Sequence, residues 1–177
     1  AATTTVPEHD MNSTSRQNIT GLHPHLHGPP SSYYLYKRLR EGGYVVFIRH
    51  AKTDVYGKDT FPDSGSIASE SCLVQRNLSP AGQAAASESG LSWRILKIPV
   101  GKVHASFYCR TMETAKLMFQ QLGATVTGDF SLVPTHGTMA LLGERLKKAF
   151  SEEPAPGTNN ILVGHIFTML SYDGSHV

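Results

Sequence analysis

The sequence predicts an α/β fold, a three-layer α/β/α sandwich around a mostly parallel central sheet. Three short apolar runs alternate with helical patterns, which is typical of parallel strands connected by helices. The predicted strands are Tyr44–Ile48, Val103–Phe107 and Ile161–Val163. With 177 residues, of which 40% are hydrophobic and 17% charged, the chain suits one globular domain.

Residues 1–30 are predicted to form a flexible arm, because Thr, Ser, Asn, His and Pro occur there without periodicity. The folded domain is then expected over residues 31–177. Alternate imidazoles on an extended arm can converge on one metal ion, but no cysteine or spaced carboxylate completes such a site, so a solvated tail is favoured. The histidines concerned are His9, His23, His25 and His27.

The first predicted helix begins at Ser31–Ser32, which suit an N-cap, and ends at Glu41. Gly42 occupies the position that a helix C-cap prefers. The chain then enters Tyr44–Ile48, a continuous apolar run that predicts a core strand buried on both faces.

Residues 51–78 are predicted to form a long polar loop, and loops of this length in a compact domain are usually functional or disordered. A second helix is expected after Ser79 and Pro80, because serine caps a helix and proline suits its first position. Its Ala-rich sequence is expected to end at Gly90.

A third helix is predicted from Thr111, with apolar residues at helical spacing and Gly123 closing it. Residues 125–133 suggest another short strand. An amphipathic pattern then predicts a fourth helix that ends near Phe150.

Each core strand is followed by a cationic or imidazole side chain: Arg49 and His50, then Arg110, then His165. Parallel strands share one carboxyl edge, where ligands bind in open α/β sheets. Guanidiniums bind phosphate oxygens, a helix N-terminus adds N–H donors, and histidine is an accepted nucleophile. The pattern favours a phosphate site over the alternative that Arg49 and His50 begin an ordinary polar loop.

Four segments together resemble the histidine phosphatase superfamily, also called phosphoglycerate mutase-like. The resemblance runs from about Leu35 to His165, and the settings of Cys72 and Cys109 are similar to a branch near the bacterial lipopolysaccharide heptose-phosphate phosphatases. The segments are Arg49–Ala51, Gln75–Gly82, Ser106–Ala115 and Val163–His165.

The resemblance implies that His50 becomes phosphorylated and that Arg49 and Arg110 hold the phosphoryl group. It implies that His165 bonds a phosphoryl oxygen and stabilises charge in the transition state. No metal or other cofactor is expected, and water would hydrolyse the phosphohistidine. The cations beside His50 should favour its neutral form, because like charge disfavours an imidazolium.

The carboxylic acid that protonates the leaving alcohol is left open by the sequence. Thr53 and Arg76 are candidate substrate-binding donors at the pocket mouth, with loop scaffolding as the alternative. Ser106 is expected to close a strand end. The candidate acids are Glu144 and Asp173, with Asp54 and Asp59 as further options.

The net charge of +2 argues against nucleic acid as a partner, and no apolar segment approaches the roughly 20 residues of a membrane span. A small-molecule phosphomonoester is the expected partner, and nothing indicates the oligomeric state. The start at Ala1 and the acceptor triplets at Asn12 and Asn18 favour a secreted or periplasmic protein, with a cytoplasmic one as the alternative. Cys72 and Cys109 form one disulfide in an oxidising compartment or remain thiols in a reducing one.

The favoured function is phosphomonoester hydrolysis. A non-catalytic phosphate-binding or interaction protein and a phosphoryl mutase are the alternatives. Only residues 166–177 follow His165, whereas the resembled family continues with a helix and at least one further strand. The sheet is therefore expected either to be truncated at its C-terminal edge or to belong to a minimal branch.

Overall fold

The computed structural model describes residues 32–54, 72–133 and 139–166. The predicted arm, residues 1–30, lies outside this part of the chain, so its boundary with the domain stays a prediction. The four described strands form one parallel sheet in the order β1-β4-β2-β3. The elements are α1 Ser32–Glu41, β1 Val45–Arg49, α2 Pro80–Ile95, β2 Val100–Ala105, α3 Cys109–Phe119, β3 Val126–Gly128, α4 Met139–Phe150 and β4 Asn159–Gly164.

Helices pack on both faces of this sheet, which confirms the predicted three-layer architecture. On one face, Val103 and Ile161 pack with buried side chains of α2 and α3. On the other face, Leu162 of β4 packs with Phe47 of β1 and Leu146 of α4. Successive strand residues point to opposite faces, so the neighbours Ile161 and Leu162 belong to different cores.

Among the four described strands, β4 lies between β1 and β2, and all six of its residues are buried. The prediction that Tyr44–Ile48 is buried on both faces holds in part. Val46 and Ile48 pack against one core and Val45 and Phe47 against the other, but these residues are only half-buried. Among the described strands, β1 has β4 as its one neighbour and lies at the end of the order. An apolar run predicts a strand but does not reveal its place in a sheet.

Asn159 holds the amino-terminal edge of the sheet together. Its buried side-chain amide donates to the carbonyl oxygens of Leu39 (2.7 Å) and Pro99 (2.8 Å), and its Oδ1 accepts from the amide of Tyr44 (3.3 Å). These bonds connect the end of α1 and the starts of β1 and β2 to β4. A buried amide is tolerated here because its hydrogen bonds are made.

The start of α2 agrees with the sequence, since the Ser79 hydroxyl accepts a hydrogen bond from the amide of Gly82 (3.1 Å) and Pro80 follows the cap. The predicted end at Gly90 is wrong, because α2 continues to Ile95. At Gly90 the backbone of α3 comes so close that an added Cβ would lie 2.8 Å from Met118 Cα. This glycine therefore serves helix contact rather than helix termination.

Two strand boundaries also differ from the sequence prediction. Residues 125–133 contain only the short strand β3, because the Asp129 side chain accepts from the amide of Ser131 (2.7 Å) and caps a 3-10 turn over Phe130–Leu132. The second core strand begins at Val100 and ends at Ala105, so the residues that follow leave the sheet before α3. The predicted glycine end after α3 is confirmed, since Gly123 has a φ of 81°.

The close approach at Gly90 generates a stability prediction. Glycine to alanine in a helix normally stabilises by roughly 0.5–1 kcal/mol, but Gly90→Ala should instead destabilise by about 1–3 kcal/mol, because its methyl group meets the backbone of α3. Urea unfolding measures the difference. Ser89→Ala, an exposed change on the same helix, is the control, and a stabilised Gly90→Ala would contradict the packing described here.

Candidate active site

The site residues are brought together by the pairing of β4 with its two neighbours. The amide of His50 donates to the carbonyl of Gly164 (3.0 Å), and the amide of Ser106 donates to the carbonyl of Val163 (3.0 Å). His165 follows Gly164 directly. The parallel register therefore places residues from three strand ends side by side at the carboxyl edge.

The two histidines of the site face each other, with ring centroids 5.4 Å apart. His50 is 9% exposed and His165 is 4% exposed. Nδ1 of His50 lies 2.8 Å from the carbonyl oxygen of Ala51. Since a carbonyl can only accept, the neutral ring carries its proton on Nδ1, and Nε2 holds the free lone pair that a nucleophile needs.

His165 is held between a guanidinium and a hydroxyl. Nη2 of Arg110 lies 3.4 Å from its Nδ1, and Oγ of Ser106 lies 3.0 Å from its Nε2. Because a guanidinium can only donate, Nδ1 is the acceptor and the Nε2 proton points to Ser106. Ser106 thus does more than close a strand end, and the sequence did not predict this contact.

Arg110 occupies the first turn of α3 and is only 5% exposed. Its guanidinium carbon lies 4.3 Å from the centre of the Tyr108 ring, which in turn packs 5.0 Å from the ring of His165. Stacking on an aromatic face favours one orientation of the guanidinium plane. The sequence did not predict Tyr108 as a site residue, although its position directly before Cys109 and Arg110 was an available signal.

Two threonines of α3 tie the site loops together. Oγ1 of Thr114 accepts from the amide of Ala51 (3.0 Å) and donates to the carbonyl of Arg110 (2.7 Å). Oγ1 of Thr111 lies 2.7 Å from the carbonyl of Ser106 and can donate to it. The loop after His50 is therefore bonded to the same helical turn that carries the arginine.

The pKa of His50 is lowered to about 4, first because the ring is buried and then because Arg110, Arg49 and Arg76 are close. Burial and the Arg110 charge also hold the pKa of His165 well below its usual range. The sequence predicted the direction from the cations alone, whereas burial is the larger cause. Both rings are neutral at physiological pH.

Three further candidate donors, Arg49, Arg76 and Thr53, belong to the segments next to His50 and His165. Arg49 ends β1 and is exposed, and it acts on both imidazoles through its charge. Arg76 also lowers the pKa of both imidazoles, so its segment lies near them. Thr53 pairs through its backbone with Leu78, which runs the loop after His50 alongside the Arg76 segment.

The proposed proton donors are not assembled by the described contacts. Glu144 lies on α4 with 70% of its side chain exposed, and it accepts a hydrogen bond from Lys147 (2.8 Å). Asp54 is exposed, and its amide donates to the carbonyl of Asn77 (3.0 Å). Asp59 and Asp173 lie outside the described residues. The identity of the general acid stays a prediction.

Cys72 and Cys109 are joined by a disulfide. Of the two alternatives that the sequence left open, the structure has the crosslinked one. The bond attaches the short turn Cys72–Val74 to the first residue of α3. It therefore reaches the immediate neighbourhood of Arg110.

The described residues were also compared with the requirements of a metal site and of a membrane span. Within residues 32–54, 72–133 and 139–166, no three His, Cys, Asp or Glu side chains surround a common metal position. The arm histidines considered for metal binding lie outside these ranges. No helix in the same ranges is both long and apolar enough to cross a bilayer.

The lowered pKa values predict how stability responds to pH. Because both rings bind protons less readily in the folded chain than in the unfolded one, the free energy of unfolding should fall as pH drops from about 6.5 toward 4. Histidine NMR titration should place the His50 midpoint near 4, with its signals assigned by their loss in His50→Ala. A His50 midpoint near 6.5 would contradict the buried, cation-flanked environment.

No protein-family model and no curated protein matches the sequence. Mycobacterial glucosyl-3-phosphoglycerate phosphatase Rv2419c in complex with VO3 matches with a TM-score of 0.55 at 16% identity, over 76% of this chain and 81% of that chain. A protein assigned as phosphohistidine phosphatase SixA from Agrobacterium tumefaciens matches with a TM-score of 0.51 at 19% identity, over 75% and 76%. The heptose-phosphate branch receives no support. The chain has the phosphoglycerate mutase-like fold of these structures.

Proposed function

We propose that this chain is a phosphomonoester hydrolase that works through a phosphohistidine on His50. The observation that carries the proposal is the state of the His50 ring, whose Nδ1 proton is donated to the Ala51 carbonyl. The centre of this ring lies 5.4 Å from the centre of the His165 ring, at the carboxyl edge of the sheet where the arginines also lie. The phosphatases among the structural neighbours support the same chemistry.

The phosphoryl group is bound by Arg49, Arg110 and the N-terminal end of α3. Arg110 and Arg49 supply two cations for a phosphate dianion, and a guanidinium fork matches two phosphoryl oxygens at once. The first turn of α3 adds the positive end of the helix dipole. Burial of Arg110 strengthens its attraction for the anion, because less water screens the charge.

In the first chemical step, Nε2 of His50 attacks phosphorus. A nitrogen–phosphorus bond forms, and the bond between phosphorus and the leaving oxygen breaks. The ring gains positive charge as Nε2 is phosphorylated, and the hydrogen bond from Nδ1 to the Ala51 carbonyl stabilises that charge. Arg110 stabilises negative charge on the phosphoryl oxygens, and His165 does so by turning its Nε2 proton from Ser106 to one of these oxygens. An acid outside this cluster protonates the leaving alkoxide.

In the second step, water attacks the phosphohistidine and releases inorganic phosphate and neutral His50. The proposal requires no metal, because the arginines supply the positive charge. A phosphoryl mutase would share the first step and return the group to another hydroxyl. A non-catalytic phosphate-binding protein would use the same donors without the attack.

We also propose that the protein works in an oxidising compartment, secreted or periplasmic. The disulfide between Cys72 and Cys109 supports this location, since such bonds persist mainly outside reducing compartments.

The nucleophile is tested by hydrolysis of an aryl phosphate, whose good leaving group needs little help from an acid. Wild type should turn over with and without chelator, and His50→Ala should lose about 10⁴-fold or more in kcat, as expected for removal of a nucleophile. His104→Ala, a histidine change on β2 away from His50 and His165, is the matched control. Turnover retained in folded His50→Ala would exclude the phosphohistidine mechanism.

The phosphate-binding role of Arg110 is tested by Arg110→Lys, which keeps the charge but removes the planar fork. The inhibition constant of inorganic phosphate should rise about tenfold to a hundredfold, the loss expected when a charge-assisted bidentate contact is removed. Arg38→Lys on the surface of α1 is the control. Unchanged phosphate binding would remove Arg110 from the site, and binding without turnover in wild type would favour the non-catalytic alternative.

A further inference from the structure

The segment 72–77, which we call the clip, is fastened to the start of α3 by one covalent and one hydrogen bond. The disulfide joins Cys72 to Cys109, and Oε1 of Gln75 accepts from the amide of Cys109 (2.9 Å). Within the clip, the Asn77 side-chain amide donates to the carbonyl of Cys72 (2.6 Å). The amide of Gln75 donates to the same carbonyl (3.2 Å).

The anchored end of α3 is the end that carries Arg110. Tyr108 occupies the N-cap position and provides no side-chain hydrogen bond to the helix. Gln75 satisfies the amide of Cys109 instead, from a distant part of the sequence. An unsatisfied first-turn amide normally bonds a cap side chain, so Gln75 acts as a cap supplied by the clip.

Arg76 lies in the clip, directly after Gln75, which bonds α3, and directly before Asn77, which bonds back to Cys72. Leu78, two residues after Arg76, pairs through its backbone with Thr53, so this segment runs alongside the loop that follows His50. The Arg76 charge also lowers the pKa of both His50 and His165. An arginine on a loosely held loop loses much rotamer and backbone freedom when it binds a ligand, and anchoring the loop beforehand reduces that cost.

The clip contributes little to the hydrophobic cores. Leu73 is 93% exposed, and neither cysteine belongs to the buried clusters on the two faces of the sheet. The disulfide therefore joins an exposed turn to the end of α3 that carries Arg110.

We propose that Gln75 and the Cys72–Cys109 disulfide are positioning elements that hold Arg76 and the first turn of α3 in place for phosphate binding. The inference rests on the proposed function, because it assigns these elements to the same phosphate site. It adds a redox dependence to that site, since reduction of the disulfide releases one of the two attachments.

The test compares Gln75→Ala and the double variant Cys72→Ser/Cys109→Ser with wild type. For both variants, KM for an aryl phosphate and the calorimetric dissociation constant of inorganic phosphate should rise about tenfold, while kcat changes less than about twofold, the split expected from lost binding rather than lost chemistry. Dithiothreitol should reproduce the effect in wild type and leave the double variant unchanged.

The matched control is Gln83→Ala. Gln83 also reaches α3 by a side-chain hydrogen bond, to Glu113 (2.9 Å), but one turn further along and on an exposed surface. This variant should keep the wild-type KM and dissociation constant. Urea unfolding of every variant separates a change in stability from a change in binding.

Unchanged phosphate affinity in Gln75→Ala and in reduced wild type would overturn the inference. An equal fall of kcat, affinity and stability would also overturn it, because that result describes a general structural role. If the double variant does not fold, Gln75→Ala decides, since its disulfide is intact. Calorimetry needs no turnover, so an inactive wild type would defeat the proposed hydrolase and still leave the clip tested.

Discussion

The whole site depends on the parallel pairing of β4 between β1 and β2. Backbone hydrogen bonds from His50 and Ser106 to β4 determine which residues meet at the carboxyl edge. A shift of one residue in this register would turn His165 to the opposite face of the sheet and separate it from Arg110. The buried residues of β4, packed on both faces, are what make such a shift costly.

That register places the two buried imidazoles close to Arg49, Arg76 and Arg110. Additional positive charge is avoided there because both imidazoles stay neutral. The lowered pKa values of His50 and His165 are therefore consequences of the fold. The same arrangement suits a phosphate dianion, whose charge would relieve the repulsion among the arginines. Functional sites commonly hold charges that repel one another until a ligand of opposite charge binds.

The sequence predicted features that depend on local chemistry, such as the Ser79 cap, the Gly123 helix end and the cationic strand ends. It did not predict that Ile161–Val163 lies inside the sheet and Tyr44–Ile48 at the end of the described order, because both are short continuous apolar runs. The roles of Ser106 and Tyr108 depend on contacts with His165, more than fifty residues away. The place of Tyr108 directly before Cys109 and Arg110 indicates that it is near the site but does not reveal these contacts. Pairing of the two cysteines likewise depends on the fold, which brings their Cα atoms to 5.8 Å.

Direct detection of the covalent intermediate tests the central claim most sharply. The protein is mixed with an aryl phosphate, quenched in alkali, where phosphohistidine survives, and digested for peptide mass spectrometry. A phosphoryl group on the peptide that contains His50, present in wild type and absent from His50→Ala, is the result that the account predicts. Steady turnover with no phosphorylated His50 at any quench time would contradict it.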